Sequence, residues 1–503
     1  MYKPALLLLA LVVVLGFWLR FYNLQNNPAG FFCDEASIGY NAYTILTTGK
    51  DQYGLPFPVF FESFGDYRPP LAIYSALPAV AFFGLTEFAV RLPSVIYGLL
   101  TIFIMYFLGR ELFPEKRCFG IITAFVSATM PWLIHYNRTG FEFSIYAAFF
   151  SLAALLFLKA VRRKRYIIPA FMASALTLYT YQPARLLVPL LIAGILFIYR
   201  KTYFKEKRVV VLGLLSFTVI SIPLVMDLLS GNGMARFNAV SVFSPHLPFF
   251  ETITRVLYNY FIQLSPLYFL TGEPTPITRH FTGGLTPLLS VTVPFAFIGF
   301  LAILFSMKDR ASQFLLYWLA LYPVAGAVTA DAPFTSRGII GAPLLAILIS
   351  LGILSITHLL GDKRLRIVVT SVILAGIVIN LAFFLKFYFT TYPRYSADFW
   401  GWQYGARGIV HYFASHETNY DDLVMAPEFN APDIFFKFYA PHDCSKCKLG
   451  SPDNSYVEGR SQLYAITPGY MQIHPEFLYS PLEKITYPYG DTAFVITKVV
   501  LKK

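Results

Sequence analysis

Charge is what this sequence has least of. Of its 503 residues 14% are charged and 56% hydrophobic, against about 25% charged in an ordinary soluble domain. That excludes a soluble globular chain, and apolar runs of membrane-spanning length recur throughout. Cysteine is scarce too. Cys33, Cys118, Cys444 and Cys447 are too few for a disulfide scaffold. The first apolar segment, residues 5–19, passes into the next loop with no A-x-A cleavage pattern, so it reads as a retained signal anchor. The net charge of +12 would suggest nucleic acid in a soluble chain. Here the basic residues sit in short loops between apolar runs, which speaks for membrane topology and against a nucleic-acid partner.

Hydrophobic runs predict about eleven spanning helices, near residues 5–21, 91–108, 120–135, 143–161, 167–181, 186–199, 209–229, 287–307, 314–330, 338–360 and 367–389. Residues 71–84 are apolar but short and contain Pro78, which fits a helix lying in the interface. One set of loops is rich in Lys and Arg, for example Arg162 to Arg165 and Lys363 to Arg366, while the alternate short loops hold Arg138, Arg185 and Arg337. The positive-inside rule puts the rich set and the amino terminus in the cytoplasm. The fold class expected is an all-α polytopic membrane protein with a small carboxyl-terminal α/β domain. Residues 1–392 form the membrane domain, with outer loops at 23–90 and 230–286, and residues 393–503 the outer domain. The 230–286 loop is too long for a connector and too aromatic for disorder, and reads as short helices closing over a cavity.

The most informative stretch is residues 31–70, FFCDEASIGYNAYTILTTGKDQYGLPFPVFFESFGDYRPP. Two adjacent carboxylates, Asp34 and Glu35, open it, and Asp66-Tyr67-Arg68-Pro69-Pro70 closes it. Ile38, Ala42, Ile45 and Leu46 fall on one helical face, with Asp34 where an N-cap would sit. Downstream comes FGLTEFAVRLP, residues 83–93. A membrane segment, Asp-Glu, a short helix, G-x-D-x-Y-G-x-P, D-Y-R-P-P-L and F-G-x-x-E-x-x-x-R-L-P resemble the first outer loop of the GT-C glycosyltransferases. More narrowly they resemble the protein O-mannosyltransferase and aminoarabinose transferase group. The likeness covers roughly the first hundred residues.

The resemblance implies a polyprenyl-phosphate sugar as donor, a hydroxyl as acceptor, the bilayer as surroundings and inversion at the anomeric carbon. Such a transfer needs a base for the acceptor proton and cations for the leaving phosphate. Asp34 is the candidate base, with a plain N-cap as the competing role. Glu35, grouped with it as catalytic, binds acceptor or supports Asp34, or is a first-turn acid favoured by the helix dipole. Arg68 matches a basic residue, usually lysine, before Pro-Pro, and an arginine there adds a bidentate fork. Arg138, in HYNRTGFE, and Arg337, in FTSRGIIGAP, are the further phosphate candidates; each competes with simple snorkelling to headgroups. Asp66, Tyr67 and Asp51 support them, or serve turn chemistry. Arg68, Arg138 and Arg337 are expected to converge on one outer cavity with Asp34 at its rim.

In the tail, residues 403–415 predict an amphipathic helix, and 422–427, 434–439, 462–467 and 493–499 predict strands. His442 with Cys444 and Cys447 is a weak zinc cue lacking a fourth ligand, against which stands a Cys444–Cys447 disulfide. No cofactor motif is present, and a divalent cation stays open. An oligosaccharyltransferase would want Trp-Trp-Asp in the outer domain, whereas Trp400-Gly401-Trp402 is followed by Gln403. A glycan ligase is the other enzyme alternative. A flippase or transporter would carry charge at midplane within broken helices, and these segments carry almost none. The expected topology is checked with an impermeant thiol reagent in a background stripped of native cysteines. Ser415→Cys should react in intact cells and Arg162→Cys only once the cytoplasm is opened; the reverse pattern refutes the orientation.

Overall fold

The computed structural model describes residues 3–229, 235–243, 248–330, 332–442 and 444–502. The chain is mostly helical, with a small sheet region near its carboxyl end. Five helices are long and apolar enough to cross a membrane: Glu87–Leu112, Phe143–Arg162, Arg200–Leu229, Gly341–Leu359 and Lys363–Tyr395. Shorter apolar helices include Ala5–Phe21, Phe119–Thr129, Ala184–Ile198 and Ser290–Phe305. Every apolar run expected from sequence falls on a helix, but several break early. The third stops at Thr129 and restarts as Pro131–Tyr136, because Pro131 has no N–H to continue the ladder. Helices Val293–Phe305 and Gly341–Leu359 touch backbone to backbone. A Cβ on Gly299 would collide with the Leu348 carbonyl, and one on Gly352 with that of Phe295. Small residues allow this approach where lipid gives no hydrophobic drive to association.

The elements that matter for the site come first in the chain: helix α1 (Lys3–Phe21), helix α2 (Cys33–Thr48), the hairpin of β1 (Phe61–Ser63) and β2 (Asp66–Arg68), helix α3 (Leu71–Phe83) and helix α4 (Glu87–Leu112). The expected interfacial segment is α3, with Pro78 inside it. In the long loop, helices Ala235–Val240, Phe249–Ile262 and Pro266–Thr271 form, while residues 230–234 and 244–247 of that expectation lie outside the described residues.

The carboxyl-terminal sheet has the order β4–β3–β5–β7–β6. Its strands are β3 (Asp422–Met425), β4 (Cys447–Leu449), β5 (Gln462–Ile466), β6 (Phe477–Thr486) and β7 (Thr492–Leu501). β3 runs parallel to β4 and β5, and β7 antiparallel to β5 and β6. The expected strand at 434–439 is instead the helix Asp433–Tyr439. Its aromatic run favours a strand locally. Ile434, Phe435 and Phe438, however, bury one helical face, and the Phe438 ring lies so close to Gly39 of α2 that a Cβ there would clash. Cys444 and Cys447 form a disulfide, and His442 Nε2 lies 2.6 Å from the Tyr43 hydroxyl. The zinc cue is therefore corrected: both sulfurs are bonded to each other.

Three arginines with no exposed surface gather at the end of α1, and two of them, Arg91 and Arg138, hold the chain between α1 and α2. Arg20 donates to Asn137 Oδ1 (2.8 Å) and to the carbonyls of Ala128 (3.0 Å) and Ser127 (3.2 Å). Arg138 donates to the carbonyls of Leu19 (3.2 Å), Arg20 (3.0 Å), Tyr22 (2.8 Å) and Asn27 (2.9 Å). It thereby satisfies the orphan carbonyls at the end of α1. Arg91 donates to those of Leu24 (3.2 Å), Pro28 (3.1 Å) and Gly30 (2.6 Å). Each buried carbonyl left without a donor costs about 1–3 kcal/mol. Arg138→Met should therefore lower the Tm of detergent-purified protein far more than Arg394→Met, a change at an exposed position; equal Tm values would show that the clamp carries no stability.

Candidate functional site

Helix α2 begins at Cys33 with Phe32 as its N-cap, so the expectation of Asp34 as cap is corrected by two residues. Glu35 reaches back instead, its Oε2 accepting the Phe32 N–H at 3.2 Å. Neighbouring helix positions point about 100° apart, and here the two acids separate completely. Glu35 turns inward and is fully buried. Its two oxygens meet Arg91 Nε and Nη2 at 3.0 Å each, and Oε1 also accepts the Gly140 N–H at 2.6 Å. The expectation that Glu35 touches acceptor is corrected: nothing outside the protein reaches it. Asp34 turns outward, about a quarter exposed.

Asp34 Oδ1 lies 2.6 Å from Nη2 of Arg68, and Arg68 Nη1 lies 3.3 Å from Glu142 Oε1. One guanidinium thus bridges two carboxylates from separate parts of the chain. β2 ends at Arg68, and Pro69-Pro70 ahead of α3 forbids the strand to continue. Glu142 closes HYNRTGFE and sits at the N-cap of Phe143–Arg162. Burial alone would lower the Arg68 pKa; Asp34 and Glu142 more than reverse this and raise it. Burial pushes the Glu142 carboxyl up, against the downward pull of Arg68.

A second guanidinium flanks Asp34. Arg279 lies 4.0 Å from the Phe32 ring centroid, donates to the Trp400 carbonyl at 2.8 Å and interacts electrostatically with Asp34. Arg337 donates to Thr329 Oγ1 at 2.7 Å and stacks over Phe334. Together with Arg279 it acts on Glu273, a buried carboxylate of the long loop. Glu273 Oε1 accepts the Thr335 N–H at 2.6 Å and also the Thr335 hydroxyl. Thr335 Oγ1 lies 2.5 Å from the Tyr136 hydroxyl, which lies 2.9 Å from His280 Nδ1. Burial lifts the Glu273 carboxyl to about 7, although the Thr335 hydrogen bonds and then Arg337 and Arg279 oppose it.

Of the three arginines expected to converge, Arg68 pairs with Asp34, and Arg337 is linked to the cluster through Glu273 and Arg279. Arg138 is not part of it: enclosed and directed at backbone carbonyls, it presents nothing to a phosphate, which corrects that expectation. Asp51 Oδ1 accepts the N–H groups of Tyr53 (2.9 Å) and Leu55 (2.8 Å), so it serves the turn. Asp66 Oδ1 accepts the Tyr67 N–H at 2.8 Å and acts electrostatically on Arg185 and Glu142. The Tyr67 carbonyl takes Gln182 Nε2 at 3.1 Å. Glu142, Arg91, Arg279 and Glu273 carry no expectation from sequence. Two signals were present: Arg91 lies in the quoted E-x-x-x-R-L-P and Glu142 in HYNRTGFE. Arg279 and Glu273 lie in a loop whose length alone marks it. Among the described residues, no group of three or more His, Cys, Asp or Glu side chains is arranged to hold a metal ion.

A carboxyl raised in the folded state stabilises fully below its unfolded pKa, and that stability fades as pH rises through the folded value. For Glu273 the window runs from 4.5 to about 7. Over it, the Tm of the native protein should fall relative to that of Glu273→Gln; parallel curves across the window would show that Glu273 stays ionised.

Residues 67–226 match the family described as dolichyl-phosphate-mannose-protein mannosyltransferase. No curated protein sequence matches the chain. Among solved structures it is similar to ArnT from Cupriavidus metallidurans in the apo state, at 12% identity and a TM-score of 0.57, over 98% of this chain and 97% of that one. It is also similar to the same organism's ArnT bound to undecaprenyl phosphate, at 14% identity and a TM-score of 0.54, covering 98% of each chain. A third similar structure is the Archaeoglobus fulgidus oligosaccharyltransferase tethered with an acceptor peptide, at 12% identity and a TM-score of 0.58, over 98% of this chain and 74% of that one. The chain shares its fold with these ArnT and oligosaccharyltransferase structures, and its residues 67–226 match the dolichyl-phosphate-mannose-protein mannosyltransferase family.

Proposed function

We propose that the chain is an integral-membrane glycosyltransferase that moves a sugar from a polyprenyl-phosphate donor to an acceptor hydroxyl, with inversion. The observation that carries this reading is the Arg68 guanidinium held between Asp34 and Glu142. The Asp34 carboxylate accepts the proton of the acceptor hydroxyl as that oxygen attacks the anomeric carbon. The bond from that carbon to the phosphate oxygen breaks, and the charge growing on the phosphate meets Arg68, Arg279 and Arg337. The donor phosphate competes with Asp34 for Arg68, so donor arrival releases the base beside the reacting carbon. Glu142 keeps Arg68 in place during the exchange. Glu35 and Arg91 position the start of α2 and touch neither substrate.

The membrane reading has about eleven spanning segments, with the amino terminus in the cytoplasm and the Asp34 loop outside. Residues 1–392 form the membrane domain of a cytoplasmic-membrane protein and residues 393–503 the outer domain. The structural similarity to an ArnT bound to undecaprenyl phosphate supports this donor class.

Two adjacent acids provide the test. Asp34→Asn should be made in normal amount, keep the Tm of the native protein, still bind the lipid donor and lose turnover by about a hundredfold to ten-thousandfold. Glu35→Gln leaves the buried Arg91 guanidinium without its hydrogen-bonded counter-charge, with only the more distant influence of Glu87 remaining, which costs about 3–5 kcal/mol. Its loss should appear in Tm and yield. Near-native turnover in Asp34→Asn would place the base elsewhere.

A further inference from the structure

The helix Phe249–Ile262 in the long loop is inside out for a helix in water: polar side chains fasten it to the protein and apolar ones face away. Asn259 is buried, and its Nδ2 donates to the Thr329 carbonyl at 2.8 Å. Gln263, directly after the helix, is buried too, and its Nε2 donates to the Pro323 carbonyl at 3.0 Å. The Tyr260 hydroxyl donates to the Ala320 carbonyl at 2.8 Å. By contrast Phe249, Phe250, Ile253, Leu257 and Phe261 are between 40% and 81% exposed. Apolar surface gathered in this way marks a contact site.

The order of side chains around the helix tells what the contact is. At 100° per residue, Phe250, Ile253, Leu257 and Phe261 lie within about 80° of one another. Glu251 and Arg255, both exposed, stand about 120–160° round from the middle of that arc on one side, and Asn259 and Gln263 as far round on the other. Charge therefore opposes the apolar arc, as in a helix lying along a boundary between water and hydrocarbon. Tyr258, also exposed, falls between the arc and Glu251, where an amphipathic ring suits the membrane interface.

The tethers set the depth. Ala320 is at the end of the helix Arg310–Leu321, part of the apolar run near residues 314–330, which begins beside the basic Lys308 and Arg310. In the orientation proposed above that basic end is cytoplasmic, so Ala320 lies where the run reaches the outer surface. A helix fastened there meets headgroups on one side and acyl chains on the other.

We infer that the helix Phe249–Ile262 lies in the surface of the outer leaflet, with Phe250, Ile253, Leu257 and Phe261 among phospholipid acyl chains and Glu251 and Arg255 in the headgroup water. The contact anchors to lipid the loop that carries Glu273 and Arg279. It rests on the membrane reading and its orientation and is independent of the transfer chemistry.

The test uses the full chain with Cys33→Ser and Cys118→Ser, in nanodiscs of phosphatidylethanolamine and phosphatidylglycerol. A nitroxide is placed on one new cysteine at a time, and its collisions with oxygen, which enters lipid, are compared with those with a water-soluble nickel chelate. At Leu257→Cys and Phe261→Cys oxygen should exceed nickel at least twofold; at Glu251→Cys and Arg255→Cys nickel should exceed oxygen. Val219→Cys, at an exposed position of the helix Lys207–Leu229, is the lipid control. Oxygen excess at Val219 with nickel excess at Leu257 or Phe261 overturns the inference and leaves the membrane reading standing. Shielding of Leu257 or Phe261 from both reagents overturns it too, because protein then covers the face. So does oxygen excess at Glu251 and Arg255, since the helix then has no water side. Nickel excess at Val219 removes the membrane reading and the inference with it.

Discussion

The ion pair between Glu35 and Arg91 is the contact on which the region around Asp34 depends. Both side chains are fully buried and meet through two parallel hydrogen bonds. A pair in such surroundings adds little net stability by itself, because desolvation offsets the attraction. What it adds is position. Arg91 also holds four carbonyls between α1 and α2, those of Leu24, Gln25, Pro28 and Gly30, and Glu35 also holds Gly140 and the N-cap of α2. A single buried cluster thereby joins the start of α2, the start of α4 and the turn ahead of Phe143–Arg162. Asp34 and Glu142 stand at two of these junctions, which is why one arginine can bridge them.

Arginine recurs in these roles for a geometric reason. The loop from residue 21 to 32 has little regular structure, and its carbonyls would be unsatisfied inside the protein. A guanidinium offers five donors in a rigid fork and stays charged when buried; an ammonium offers a point charge. Arg91 and Arg138 divide the loop's carbonyls between them, while Arg20 holds the carbonyls of Ser127 and Ala128 against the end of α1. Arg68 and Arg279 differ in one respect that matters: each retains solvent access and each faces Asp34.

The carboxyl-terminal region closes over the same loop. Gln403 holds Cys33, Arg407 and Tyr439 hold Glu87, and Arg279 reaches the Trp400 carbonyl. Gly30 lies so close to the Trp402 carbonyl that any side chain there would collide with it. Glu87 and Arg91, four residues apart on α4, thus face the tail and the α2 junction from one helix.

The sequence by itself determined the membrane class, the positions of the apolar helices and the stretch that carries the site, because hydrophobic runs and Gly-Pro punctuation are local properties. Asp34 and Arg68 stood out only through the resemblance of their stretch to the GT-C transferases, since by position alone Asp34 reads as an N-cap. The sequence could not tell Asp34 from Glu35 in role, since that difference is the direction of a side chain relative to Arg91, 56 residues away. For the same reason Arg138 looked like Arg68: both are arginines near helix ends, and whether a guanidinium meets a carboxylate or a row of carbonyls depends on what another part of the chain brings beside it. Residues 434–439 read as a strand because aromatics favour one locally, and they became a helix because packing on Gly39 rewards a helical face. Arg279, Glu142 and Glu273 entered the site only through tertiary structure, which brings together charges that sequence separates by up to about 245 positions.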